Sequence, residues 1–225
     1  MTPLAVVCVS GGMDSCVTAA LAARTHRLAF LHADYRQRTE DRERACFHRL
    51  ADHFGADHRL LADFPALGAI GGSSLTDAAM PVREGEPEKG RVPTSYVPFR
   101  NAHLLAAATS WAEVLGAEAV FVGAVAEDSS GYPDCRPEFY RAYQEVVNLG
   151  TRPETRIRIV TPVIGFTKAE IVRQGHALRV PFEMTWSCYL SEDLACGTCE
   201  SCRLRRRGFA EAGVSDPLPY RARRS

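Results

Sequence analysis

The sequence predicts an α/β protein, a Rossmann-like parallel sheet with helices on both faces, followed by a cysteine-rich C-terminal segment. Three observations predict it. Short apolar runs alternate with amphipathic stretches from the start of the chain. The first run ends in Ser10-Gly11-Gly12, a turn placed between a strand and a helix. Cys188, Cys196, Cys199 and Cys202 gather near the other end.

Residues 4–9 are Val-rich and bounded by Ser-Gly-Gly, which reads as a buried parallel strand. Ala, Val and Leu at helical spacing follow over 14–24. Residues 27–32 (RLAFLH) read as a second strand, 40–54 as an amphipathic helix and 59–63 as a third strand. That is the βαβ alternation of a parallel sheet. Residues 65–95 break it, with GAIGGSS and PVREGEPEKGRVP rich in turn residues, and read as a mobile functional loop. An Ala-rich helix is predicted over 101–115, a buried strand over 119–125 (AVFVGAV) and a helix over 138–148. A strand over 156–162 and a helix over 168–178 complete the pattern. From 187 onward the chain reads as irregular. The division expected is an α/β domain over 1–186 and a metal-binding segment over 187–225.

Composition narrows the class. The 225 residues carry 27 Lys and Arg against 27 Asp and Glu, a net charge of zero. A protein living on a polyanion is expected to be basic, so a nucleic-acid partner is disfavoured. No apolar run reaches the ~18 residues of a spanning helix. The start MTPLAVVCVSGG lacks a basic region and a cleavage site, so no secretory signal is expected. A cytoplasmic setting follows, where clustered cysteines bind metal more often than they pair.

Two motifs carry chemistry. In Ser10-Gly11-Gly12-Met13-Asp14-Ser15 the glycines permit a tight turn and close approach of a ligand. Free N–H groups at the helix start and the hydroxyls of Ser10 and Ser15 then make an anion cradle. The loop has neither the lysine of a Walker motif nor G-x-G-x-x-G spacing. The plainer alternative is a glycine turn with a Ser or Asp cap. The second motif, Cys188-x7-Cys196-x2-Cys199-x2-Cys202, offers four thiolates at the spacing of a closed, structural zinc site. Iron–sulfur ligation is the chemical rival.

SGGMDS resembles the PP-loop of ATP pyrophosphatases, the adenine nucleotide alpha hydrolase-like fold. Taken with DYRQRTE at 34–40, YVPFRN at 96–101, DSSGYPDCRPEF at 128–139, TPVIGFTKAEIV at 161–172 and the CGTCESC cluster, the chain resembles the 7-cyano-7-deazaguanine synthase family. The resemblance implies an ATP-dependent carbon–nitrogen ligase of queuosine biosynthesis. It would convert 7-carboxy-7-deazaguanine and ammonia to the nitrile preQ0 through adenylated acid and amide intermediates. It implies ATP and Mg²⁺, structural Zn²⁺, and a homodimer. By the same resemblance ATP is bound by Val9, Ser10, Gly11, Gly12, Met13, Asp14, Ser15, Cys16, Val17, Thr18 and Ala19. Asp14, Arg100 and Arg136 would be catalytic. Gln37, Arg38, Tyr132, Asp134 and Glu138 would bind the deazapurine, while Asn101 would cap the Ala-rich helix.

Three departures mark this chain. The family pattern has DYGQRH where Arg36 and Thr39 stand here, and a glycine where Phe99 stands. Phe99 is the more serious, since that glycine would allow backbone to approach a ligand. The rival readings are a diverged member that stops at the amide or adenylates another carboxylate, and a PP-loop enzyme modifying tRNA.

Overall fold

The computed structural model describes residues 2–85, 91–126 and 131–222. Parts of the 65–95 loop, of the DSSGYPDCRPEF run and of the basic terminus lie outside the described residues. Five parallel strands form one sheet: β1 (Leu4–Cys8), β2 (Arg27–Asp34), β3 (His58–Asp63), β4 (Ala119–Val122) and β5 (Arg158–Val160). Their order is β3-β2-β1-β4-β5. The chain winds outward from β1 to β3, then returns to β1's other side with β4. The order therefore reverses between β1 and β4, and a crevice opens beyond their C-terminal ends.

Among the described residues, seven α-helices accompany the sheet: α1 (Met13–Ala23), α2 (Glu40–His53), α3 (Pro65–Ile70), α4 (Arg100–Leu115), α5 (Pro137–Gly150), α6 (Lys168–Ala177) and α7 (Glu200–Ala212). Side chains alternate across each strand, so each face has its own core. Val7, Phe30 and Phe121 pack with Val17, Phe47, Ile171 and Phe209 on one side. Val6, Leu31 and Val120 pack with Leu105, Ala108, Tyr140 and Val147 on the other. α6 starts at a capping box, in which Thr167 Oγ1 accepts from the Glu170 N–H and Glu170 accepts from the Thr167 N–H. No helix among the described residues is long and apolar enough to cross a membrane.

The strands and helices fall where the periodicity puts them, with ends moved by a few residues. Two stretches differ. Residues 200–212 form α7 rather than irregular tail. Its inward face carries Cys202, Arg205 and Phe209 at helical spacing, and the arginine conceals the apolar stripe. Arg205 is buried because Asp216 pairs with it and the Thr185 hydroxyl and Phe182 carbonyl accept its protons. The 65–95 stretch holds α3 and an ordered turn with Ser73, Ser74 and Leu75 buried. Arg38 holds that turn, donating from Nε to the Ser74 carbonyl at 2.7 Å and from Nη2 to those of Asp77 and Met80 at 2.9 and 2.8 Å.

Arg36 and Phe99, where the sequence reading expects glycine, adopt left-handed backbone with φ of 66° and 58°. The turn geometry that suits glycine is kept, at a cost of order 1–2 kcal/mol per residue. Arg36 is held by a two-pronged bond to Asp63 at 2.9 and 3.1 Å. Phe99 donates its N–H to Tyr96 Oη at 2.9 Å and sets its ring edge-on to His103 and Phe139.

Beneath the first loop lies a buried imidazole. His32 Nδ1 donates to the Val9 carbonyl at 2.8 Å, and Nε2 lies 3.3 Å from Asp34 Oδ1. Both neighbours only accept protons, so the doubly protonated ring suits the site. Burial opposes that charge, yet the Asp34 and Val9 bonds outweigh it and raise the His32 pKa. A raised histidine stabilises the fold fully below the unfolded value of about 6.5 and loses that contribution as pH climbs through the folded pKa. The stability gap between the unsubstituted protein and His32→Gln, measured by urea unfolding, should therefore narrow from pH 6 to pH 9. A gap that is constant across this range would refute the charged assignment.

Candidate active site at the β1–β4 switch

The crevice beyond β1 and β4 encloses a cavity of about 260 Å³. Its floor is the β1–α1 loop. Gly11 has φ +81°, and a Cβ there would sit 2.9 Å from the Glu43 carbonyl oxygen, so α2 closes against the loop from behind. The Gly11 carbonyl accepts the Trp186 N–H at 2.8 Å. Ser15 Oγ donates to the Gly12 carbonyl at 2.9 Å and lies 3.3 Å from Ser10 Oγ. From the other side Gly123, just past β4, passes so near that a Cβ would lie 2.9 Å from the Ser15 N and Cα. The loop is thus gripped by α2, β4 and the segment near Trp186, while Ser10, Gly12, Asp14 and Ser15 face the cavity. First-turn N–H groups of a helix at such a place favour an anion.

Charge is placed around that loop. Lys168, the first residue of α6, donates from Nζ to Asp14 Oδ2 at 2.6 Å. Asp14 Oδ1 is buried and has no hydrogen-bond partner among the described residues. Arg100 lines the opposite wall and donates to the Tyr35 hydroxyl at 2.9 Å. Gln37, Thr39 and Glu43 form a second polar patch, in which Glu43 accepts from Thr39 Oγ1 at 2.8 Å and Gln37 Nε2 at 3.2 Å. Leu31, Ala33, Val122 and Ala124 supply apolar wall.

Of the residues the sequence singles out, Val9, Ser10, Gly12, Met13, Asp14, Ser15, Gln37, Arg38, Arg100 and Tyr132 line this cavity. Gly11 and the stretch Cys16, Val17, Thr18 and Ala19 lie behind the loop, the stretch being buried among helix and sheet. Arg38 reaches the cavity edge, but Nε and Nη2 are taken by carbonyls of residues 74–80. Three expectations find other surroundings. Arg136 is exposed, with Nε on the Pro133 carbonyl. Glu138 is exposed and pairs with Arg141 at 3.0 Å. Asp134 is buried outside the cavity lining, where Oδ2 accepts the Asn101 N–H at 2.9 Å. Asn101 accordingly does not cap α4. The helix starts one residue earlier, and the distant Asp134 carboxylate takes the capping place that its positive end favours.

Lys168 and Glu43 are cavity residues that sequence reading passed over. Glu43 is hidden in the charged run EDRER of α2. Lys168 carried one signal, a cation at the first position of a helix, where the dipole disfavours it unless an acid is near.

The four cysteines of the tail meet. Their Sγ atoms all lie within 4.8 Å of one another, and those of Cys196 and Cys202 are 3.9 Å apart. Four sulfurs at about 2.3 Å from one tetrahedral ion would be about 3.8 Å apart, so the set fits such an ion. Backbone N–H groups point at the sulfurs, those of Leu190 and Cys196 to Cys188 and those of Thr198 and Cys199 to Cys196. Such bonds suit thiolates. Gly197 has φ +73° in the turn between ligands. None of the cysteines is in a disulfide.

The family model described as Queuosine biosynthesis protein QueC matches residues 4–213. The chain belongs to the QueC family. It is 55% identical over 222 residues to the 7-cyano-7-deazaguanine synthase of Chloroherpeton thalassium, covering 98% of each chain. A QueC relative of the same name from Chlorobaculum tepidum is 55% identical over 220 residues, 97% of each chain. Among solved structures, NMN synthetase from Francisella tularensis aligns with 95% of this chain and 88% of its own, at 14% identity and a TM-score of 0.48.

Proposed function

We propose that this QueC protein is a 7-cyano-7-deazaguanine synthase, an ATP-dependent carbon–nitrogen ligase working on 7-carboxy-7-deazaguanine and ammonia. The observation that carries the reading is the near-complete match to proteins of that name, 55% identical over 98% of the chain. The cavity's chemistry agrees with it. A carboxylate cannot expel oxide at neutral pH, so one of its oxygens must first become a good leaving group. An acid oxygen attacks the α-phosphorus of ATP, pyrophosphate leaves, and an acyl-adenylate remains. Ammonia displaces AMP to give the amide. The amide oxygen attacks the α-phosphorus of a second ATP, pyrophosphate leaves, and loss of AMP and of both amide N–H protons leaves the nitrile.

Each activation gathers negative charge on phosphate oxygens, and residues fixed in advance around that place lower its cost. The Ser10 and Ser15 hydroxyls and the free N–H groups at the start of α1 receive the phosphates. Lys168 supplies a positive charge beside them. Arg100, which lines the cavity and donates from Nη1 to the Tyr35 hydroxyl, offers its guanidinium to the substrate acid. Asp14, with Oδ1 unpartnered, would hold Mg²⁺, which when bound neutralises phosphate charge. Tyr132, whose hydroxyl donates to Ser95 Oγ at 2.9 Å, offers a fixed ring for the deazapurine. Cys188, Cys196, Cys199 and Cys202 would hold zinc as a structural ion. Asp134 serves this reading indirectly, by fixing the start of α4 and with it Arg100.

Incubating the protein with 7-carboxy-7-deazaguanine, ATP, Mg²⁺ and ammonium should yield preQ0 by mass spectrometry, with two AMP per nitrile. Amide accumulating without nitrile would replace the reading by that of an amide-forming relative. Metal analysis of fresh protein should give about one zinc per chain. Cys199→Ser should release it and lower the melting temperature, because structural zinc contributes folding energy directly. Iron with sulfide, or a melting temperature indifferent to the substitution, would contradict the zinc assignment.

A further inference from the structure

Resting on the function proposed above, the structure leaves one step without an agent. Ammonia is mostly ammonium at neutral pH, and ammonium has no lone pair with which to attack. A proton must be taken in the cavity. The groups able to take it are few. Among the described residues the cavity is lined by two carboxyls, Asp14 and Glu43, and by no histidine. Asp14 is tied to Lys168 at 2.6 Å. Burial pushes the Cys8 thiol up to about 12, the Cys135 thiol up to about 11 and the Tyr35 phenol up to about 12, so each keeps its own proton. Tyr132, Tyr140 and Tyr189 are raised as well.

Glu43 is built differently. Its backbone carbonyl packs on Gly11 of the phosphate loop, so its side chain starts beside the place where the adenylate would form. The Thr39 hydroxyl and the Gln37 amide each donate to one of its oxygens, which fixes the carboxyl and leaves lone pairs on both. Glu43 lines the cavity, and ammonium is a cation that this reaction brings there. We propose that Glu43 binds ammonium and acts as the base that releases ammonia for attack on the adenylated acid.

The step balances. An N–H bond of ammonium breaks and its proton passes to a Glu43 oxygen. The freed lone pair forms the C–N bond at the acyl carbon, the C–O bond to AMP breaks, and AMP leaves with that electron pair. The remaining excess proton on nitrogen is lost to the departing phosphate or to water. Burial is the largest influence on Glu43 and raises its pKa above the ordinary glutamate value, nearer the working pH of a base. The groups facing it are His32 on β2 and Arg100 on α4, which favour its charge, the Thr39 and Gln37 donors, and Tyr35 and Cys46, which stay neutral.

The test compares nucleophiles. With ammonium at pH 7, Glu43→Gln should lose about 10²-fold in kcat/KM for ammonium, the usual worth of a positioned base. The deficit should shrink as pH rises past 9 and free ammonia appears. With hydroxylamine, neutral at pH 7, hydroxamate should form at nearly equal rates in both proteins. Acid-dependent exchange of labelled pyrophosphate into ATP, which needs no ammonia, should persist in the variant and shows that it is folded. Glu43→Asp, which keeps the base but shortens its reach, should fall between. Equal deficits with ammonium and hydroxylamine at every pH, or loss of exchange, would overturn the proposal. No exchange in the unsubstituted protein would instead overturn the functional reading on which it rests.

Discussion

The site depends on one contact, the 2.6 Å pair between Lys168 Nζ and Asp14 Oδ2. It joins the first residue of α6 to the first turn of α1 across the mouth of the crevice. Taken singly, Asp14 suits its helix end and Lys168 does not. Together they place a positive charge beside the β1–α1 loop, and leave Asp14 Oδ1 buried with no hydrogen-bond partner among the described residues. The lysine is itself held from behind. Gly208 of α7 packs so closely on it that a Cβ there would lie 2.7 Å from the Lys168 Cβ.

That packing explains why a cysteine-bearing tail belongs to an ATP-type fold. Cys199 and Cys202 stand at the start of α7, so an ion held by the four sulfurs would fix the helix that presses on Lys168 through Gly208. Trp186, shortly before Cys188, also donates its backbone N–H to the Gly11 carbonyl. Phe209 enters the same core as Val7 and Phe30. The tail is therefore a buttress of the β1–α1 loop, reached through α7 on one side and Trp186 on the other.

The sheet was legible because its signal is local. Val-rich runs and alternating helices follow from side-chain period, and SGGMDS declares its turn by composition. Four cysteines at short spacing declare their meeting in the same way. What stayed hidden is held by distant partners. α7 reads as irregular since Arg205 sits on its apolar stripe, neutralised by Asp216, which follows the helix. Arg38 reads as a ligand for the deazapurine, but carbonyls some forty residues on take its protons. Asp134 looks like a free acid, and it is the cap of a helix that begins thirty-four positions earlier. Glu43 and Lys168 look like surface charge in sequence, because nothing local says that α2 and α6 turn those residues inward. Arg36 and Phe99 stand where the sequence reading expects glycine, and both take the left-handed backbone that glycine favours.

In the reaction proposed, the cavity activates the substrate by moving one of its oxygens onto the α-phosphate of ATP. Labelling tests this most directly. With both carboxylate oxygens of 7-carboxy-7-deazaguanine as oxygen-18, each AMP released should carry one labelled oxygen, once for the acid and once for the amide, and pyrophosphate should carry none. Label in inorganic phosphate, or AMP free of label while product forms, would contradict adenylation and with it the role assigned to the β1–α1 loop.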